Sequence, residues 1–207
     1  MEFEVVKDAE SEFISGAREY VLRLTSAISE DVLENTGLLA AELLRVWRDR
    51  NRVFICGNGG SAANAIHIAN DLHYGIGSCG TGEDLRGIDV EAFTANSSIL
   101  TCLANDIGYE EIFAHQLSVK AKHGDLLVIL SGSGNSKNVV NALKKAKEME
   151  IKSVAVVAYD GGKCKEVADI VIHSDVHDMQ IAEDMQLLIG HMCMQHLSGM
   201  KDSVGVK

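Results

Sequence analysis

With 207 residues, 46% of them hydrophobic and 24% charged, the chain is sized for one globular domain with a full core. Its formal net charge of −11 argues against a nucleic-acid-binding surface, which is usually basic, and no run of about 18 apolar residues is present to cross a membrane. The acidic start Met1-Glu2-Phe3-Glu4 lacks the basic and apolar regions of a signal peptide, so a cytoplasmic protein is expected.

From residue 10 to residue 48, apolar side chains recur at helical spacing, among them Ile14, Val21, Leu22, Val32, Leu39, Leu43 and Trp47. This predicts two helices, broken near Glu34-Asn35-Thr36-Gly37. Their apolar content exceeds the need of a surface helix, so they are expected to pack against another subunit. Beyond residue 50 the texture changes. Apolar runs at 53–56, 88–93, 125–130, 153–158 and 170–173 read as strands, and 62–74, 97–105, 112–122, 136–148 and 182–200 read as helices. A Gly-rich stretch at 75–87 reads as an exposed loop. Strands alternating with helices predict parallel crossovers, whose ligands sit at the carboxyl ends of the strands. The expected division is a helical segment over 1–50, packing on the domain and between subunits, and an α/β domain over 51–207.

The five cysteines (Cys56, Cys79, Cys102, Cys164, Cys193) are odd in number and scattered, which supports neither a disulfide framework nor a zinc knuckle. Cys56, Cys102 and Cys193 have apolar sequence neighbours and are expected to be small buried hydrophobes.

Two segments carry the chemistry. Cys56-Gly57-Asn58-Gly59-Gly60-Ser61 and Ser131-Gly132-Ser133-Gly134-Asn135-Ser136 each follow a predicted strand and precede a predicted helix. Glycines such as Gly59 and Gly60 let the backbone approach an anion, the helix N-terminus offers N–H groups, and serine hydroxyls add donors. In so acidic a chain, anion binding must come from such local donors. Two such loops point to a phosphorylated metabolite, although Ser61, Ser131, Ser133 and Ser136 also stand where helix caps stand. Neither loop follows the Walker or dinucleotide pattern. His67 and Asp71 are four residues apart on the first following helix, on one face. His191 lies in the last predicted helix, about two turns after Glu183 and Asp184. These pairs can chelate a divalent metal, act as acid and base on neighbouring carbons, or be plain surface pairs. Asp106, after Asn105 and before Ile107-Gly108, sits in a polar turn. His173 and His177, flanked by Asp175 and Asp178, are placed to line a pocket rim.

Together, the stretches CGNGGSAANAIHIANDL, ANDIGYEEIF, LSGSGNSKNVVNALKKAKE, YDGGKCKEVADIVI and LLIGH resemble the sugar isomerase (SIS) domain, and within it the phosphoheptose isomerases. The resemblance runs from Glu10 to about Leu197. It implies a flavodoxin-like three-layer α/β/α sandwich with a central parallel sheet, and a homotetramer built on the N-terminal helices. It further implies isomerisation of sedoheptulose 7-phosphate to a heptose 7-phosphate, on the way to surface heptoses of lipopolysaccharide or capsule. By the same resemblance the Gly59-Gly60-Ser61 turn, Ser131, Ser133 and Ser136 would hold phosphate, while Asn58 and Asp106 would contact the sugar. Asp71 and His191 would be the catalytic pair, with His67, Asp71, Glu183 and His191 around one zinc ion and Glu183 also facing substrate. Two positions depart from the family pattern: Asp71 replaces a glutamate, reaching about 1.5 Å less far, and Glu183 replaces a glutamine, adding negative charge. The remaining readings are an isomerase of a different phosphosugar, or a non-catalytic SIS protein such as a phosphosugar sensor or a replication-initiator-associating regulator.

Overall fold

The computed structural model describes residues 2–77 and 86–200, with side chains from residue 10 onward. Most of the expected Gly-rich loop, and Cys79 with it, lies outside the described residues. Five strands, β1 (Arg52–Gly57), β2 (Asp89–Ala92), β3 (Leu126–Ser131), β4 (Lys152–Val157) and β5 (Ile170–His173), form one parallel sheet in the order β2-β1-β3-β4-β5. The central strands are apolar on both sides, as a doubly covered sheet requires. Val53, Ile55, Val128, Leu130, Val154 and Val156 point to one face; Phe54, Cys56, Leu127, Ile129, Ala155 and Val157 point to the other. Helices α2 (Glu30–Arg48), α3 (Gly60–Asn70) and α8 (Met179–Gly199) cover the first face. Helices α5 (Ile112–Lys120) and α6 (Lys137–Glu148) cover the second, with α4 (Ser97–Asp106) and the short α7 (Gly162–Val167) packed beside them. The result is the expected three-layer sandwich. Because β1 neighbours both β2 and β3, the chain reverses its winding at β1, and the loops after β1 and β3 open side by side at the carboxyl edge.

The N-terminal helices divide elsewhere than their sequence suggests. α1 runs from Glu2 to Ser26 and α2 from Glu30 to Arg48, so the break falls at 27–29 and not near Glu34-Asn35-Thr36-Gly37. Ser29 decides this, because its hydroxyl accepts the Val32 N–H and caps α2, with Glu30 and Asp31 in the first turn and Arg45 and Arg48 in the last. The polar residues at 35 and 36 turn back on their own helix: the Asn35 amide donates to the Asp31 carbonyl and the Thr36 hydroxyl to that of Val32. α8 likewise begins a turn earlier than expected, because the Asp178 carboxylate accepts from the N–H groups of Gln180 and Ile181. Hydrogen bonding to these amides, Ile181 foremost, and the Arg23 guanidinium beside it hold the Asp178 carboxyl below the usual carboxylate range. Cys56, Cys164 and Cys193 are buried, but Cys102 is exposed, on the outer side of α4. No helix among the described residues is long and apolar enough to cross a membrane.

Candidate active site

The loop after β1 is shaped by what glycine leaves out. A Cβ on Gly57 would stand 2.8 Å from both the Leu130 carbonyl oxygen and the Ser61 Cβ, so only glycine lets β1, β3 and the start of α3 meet. Gly59, at φ +57°, leads into α3, whose first turn has no side-chain cap. Ser61 is buried, and its hydroxyl oxygen accepts from the Gln186 side-chain amide at 3.0 Å.

The loop after β3 is folded on itself and on α7. The Ser131 hydroxyl accepts the Gly134 N–H at 3.1 Å, and the Ser133 hydroxyl accepts that of Asn135 at 3.3 Å. Gly134, at φ +64°, lies against the Gly161 carbonyl, and its own carbonyl accepts the Cys164 N–H at 2.9 Å. Ser136 occupies the N-cap of α6 with extended backbone and no side-chain cap bond. Of the four serines, Ser131 and Ser133 thus serve their own loop and Ser61 meets Gln186, while the Ser136 hydroxyl caps nothing.

The two loops are also tied to each other. The Asn58 amide donates to the Asn138 side-chain oxygen at 2.9 Å, and the Asn138 amide returns the bond at 2.8 Å. The Tyr109 hydroxyl donates to the same Asn58 oxygen at 2.8 Å. Asp106, the last residue of α4, is exposed at the rim, where its carboxylate accepts from the Asn105 amide at 2.8 Å and the Cys102 thiol at 3.5 Å.

Two turns along α3 stand the titratable groups. His67 Nε2 and His191 Nε2 lie 2.9 Å apart, a distance at which one must present a lone pair to the other. The Asp71 Oδ2 is 3.4 Å from the first and 3.5 Å from the second. Their ligating atoms all fall within 4.8 Å of one another, the one such His/Cys/Asp/Glu cluster found among the described residues. Asp71 opens a π turn over Asp71–Gly75, closed by the Ile76 N–H on the Asp71 carbonyl. Such wide turns are rare and recur at functional positions. Two imidazole nitrogens and one carboxylate oxygen suit a divalent transition metal, and zinc in catalytic sites takes three protein ligands and leaves a position open. Glu183 stands apart from this cluster: its carboxylate lies against Gly60, where a Cβ would collide with it. Asp184 faces α1 instead, accepting from the Tyr20 hydroxyl at 2.5 Å. Burial, and then that bond, push the Tyr20 phenol up to about 12.

Residues 18–158 match the SIS domain family. The phosphoheptose isomerase of Aliarcobacter butzleri is 38% identical over 80% of this chain and 84% of its own. This chain belongs to the phosphoheptose isomerase family of SIS-domain proteins. The family member from Mycobacterium bovis is 36% identical over 84% of this chain and 89% of its own. The structure of phosphoheptose isomerase from Neisseria gonorrhoeae superposes with a TM-score of 0.82, at 26% identity, over 92% of this chain and 99% of that one.

Of the residues expected in the site, the structure gathers His67, Asp71 and His191, brings the two glycine loops together, and places Glu183 over the first of them. His173 and His177 turn to the β4–β5 edge, where His173 Nε2 lies 2.6 Å from the Tyr159 carbonyl and His177 lies 3.8 Å from Asp160. Sequence reasoning missed Asn64, Asn138 and Gln186. A signal was present for Gln186, an amide on the stripe Ala182, Gln186, Ile189, Cys193 that α8 buries. A polar group at such a phase must find a partner.

Proposed function

We propose that the protein interconverts sedoheptulose 7-phosphate and D-glycero-D-manno-heptose 7-phosphate, in the cytoplasm, as a step toward surface heptoses. The observation that carries the reading is the position of His67 and Asp71, which meet His191 of α8, at the far end of the helix whose start forms a glycine loop. Seven residues separate Gly60 from His67, or about 10 Å along an α-helix. An extended seven-carbon phosphosugar is about as long, given C–C bonds of about 1.5 Å. With phosphate at the Gly59–Ser61 and Ser131–Ser136 loops, the first two carbons would therefore reach the cluster.

Ketose–aldose exchange removes a proton from the hydroxyl-bearing carbon, forms an enediol, and returns a proton to the neighbouring carbon while the carbonyl moves between the oxygens. Asp71 and His191 divide these tasks: one takes the carbon proton and the other hands a proton between the oxygens. The His67 and Asp71 side chains, with His191, would hold a zinc ion, which when bound polarises the sugar oxygens. Asn58 and Asp106 would meet the sugar hydroxyls, and the Glu183 carboxylate, which lies against Gly60, would face the substrate from the first loop. The apolar side chains that α1 leaves in water, Phe13 at 74% exposure and Leu22 at 68%, support assembly through the segment 1–50, as a homotetramer.

The test is turnover of sedoheptulose 7-phosphate by metal-depleted and zinc-loaded protein beside His191→Ala. Zinc-dependent product that the variant does not form is expected. Undiminished turnover by His191→Ala would overturn the assignment, and bound zinc without turnover would move the activity to another phosphosugar.

A further inference from the structure

The buried amide chain Asn64–Gln186–Ser61 has a direction, and the direction can be read from one atom that has no choice. The Asn64 side-chain nitrogen lies 2.9 Å from the Glu183 backbone carbonyl, which can only accept. That fixes the Asn64 NH2 toward α8. Its other proton goes to the Gln186 side-chain oxygen at 3.0 Å, so the Gln186 oxygen faces Asn64 and its nitrogen faces Ser61. Gln186 is 1% exposed and Ser61 5%, so water does not scramble the pattern. The Ser61 oxygen must then accept, and its single proton is left for something else. Among the described residues no protein acceptor takes it.

We propose that Gln186 is a positioning residue that makes Ser61 a one-way hydrogen-bond donor toward an anion at the glycine loops. The proposal rests on the phosphosugar reading and deepens it. A hydroxyl left to rotate would spend part of its time donating to a neighbour in the protein. With the Gln186 amide donating to its oxygen, Ser61 presents its proton to a phosphate oxygen, which can only accept. An amide does this without adding charge, which matters beside Glu183 in a chain with a net charge of −11. Asn64 acts at one remove, by setting the Gln186 amide the right way round.

The experiment measures inorganic phosphate binding and substrate kinetics for Ser61→Ala, Gln186→Met and the double variant. Inorganic phosphate should bind the unmodified protein, and Ser61→Ala should weaken it about tenfold, in line with loss of a charge-assisted hydrogen bond. Gln186→Met should weaken phosphate about fivefold and raise KM in step while kcat stays within about twofold. In the Ser61→Ala background, Gln186→Met should change phosphate affinity by less than about twofold, because its effect runs through the hydroxyl. Should Gln186→Met fail to fold, Asn64→Leu, which lies one bond further from the anion, should show the same non-additivity. Additive losses, or a Gln186→Met protein with unchanged phosphate affinity, would overturn the role of Gln186 while leaving the phosphate site standing. Absence of phosphate binding by the unmodified protein would remove the phosphate reading itself, and this inference with it.

Discussion

Gly134→Ala tests the second loop at its tightest point. The residue sits at φ +64°, where an L side chain is strained by about 1–2 kcal/mol. The added Cβ would also fall on the Gly161 carbonyl group, 2.7 Å from its carbon and 3.2 Å from the Gly162 nitrogen. Neither partner is the free end of a side chain. Gly161 is itself left-handed at φ +79°, its N–H donates to the Ala158 carbonyl at 2.8 Å, and the Gly134 carbonyl is bonded to Cys164. Overpacking of this kind adds about 1–3 kcal/mol. The sum is about 3 kcal/mol, or roughly 6–12 °C in Tm for a chain of this length. Thermal unfolding followed by circular dichroism measures it, and KM for the phosphosugar should rise as the loop shifts. Gly134→Asn separates the two causes, since asparagine accepts the left-handed region but still carries a Cβ. It should be no better than alanine. If Gly134→Asn behaves as the unsubstituted protein, backbone strain alone is at work and the close approach to Gly161 is refuted.

Asp71→Asn keeps the shape of the cluster but removes a carboxylate, so kcat should drop about 100-fold or more while thermal stability holds; a drop confined to KM would deny it a part in proton transfer. For Asp178 the folded carboxyl is depressed, so its stabilisation is complete above the unfolded value of about 3.9 and disappears as pH falls through the folded one. The urea midpoints of the protein and of Asp178→Ala should therefore differ by a constant amount from neutrality to about pH 5 and draw together as acid takes the pH below the unfolded value; a gap that acid leaves unchanged would contradict the ion-paired cap. Cys102 is exposed, yet its hydrogen bond to Asp106, and then the carboxylate charge, push its thiol up, while burial pushes Cys164 and Cys193 to about 12. Peptide-resolved alkylation should find Cys102 slow in the native protein and faster in Asp106→Asn; equal rates would mean the bond does not form in solution.

The sheet was legible because each central strand is an unbroken apolar run bounded by glycine or charge, a pattern that leaves little choice of element. The two glycine loops were legible for the same reason, lying where strand signal turns into helix signal. What local pattern could not supply was orientation. Glu34-Asn35-Thr36-Gly37 has the composition of a break, but whether its side chains bond back into the helix or out of it depends on the cap one turn upstream, at Ser29. Cys102 has apolar neighbours in sequence, yet α4 lies at the edge of its layer and turns that side outward. Sequence spacing brought His67 and Asp71 together because four residues make one helical turn. It had no means of placing Glu183, whose direction is set by how α8 crosses the start of α3.

The reciprocal amide pair between Asn58 and Asn138 joins segments 80 residues apart in the chain. Each half fixes the other, and Asn138 is shut away from water at 1% exposure. The two loops therefore arrive already ordered, and an incoming ligand is spared the roughly 0.5–1.5 kcal/mol of entropy loss that each freshly immobilised side chain would carry. The same joint has an opposite face. A lesion in either loop therefore removes the partner that orders the other.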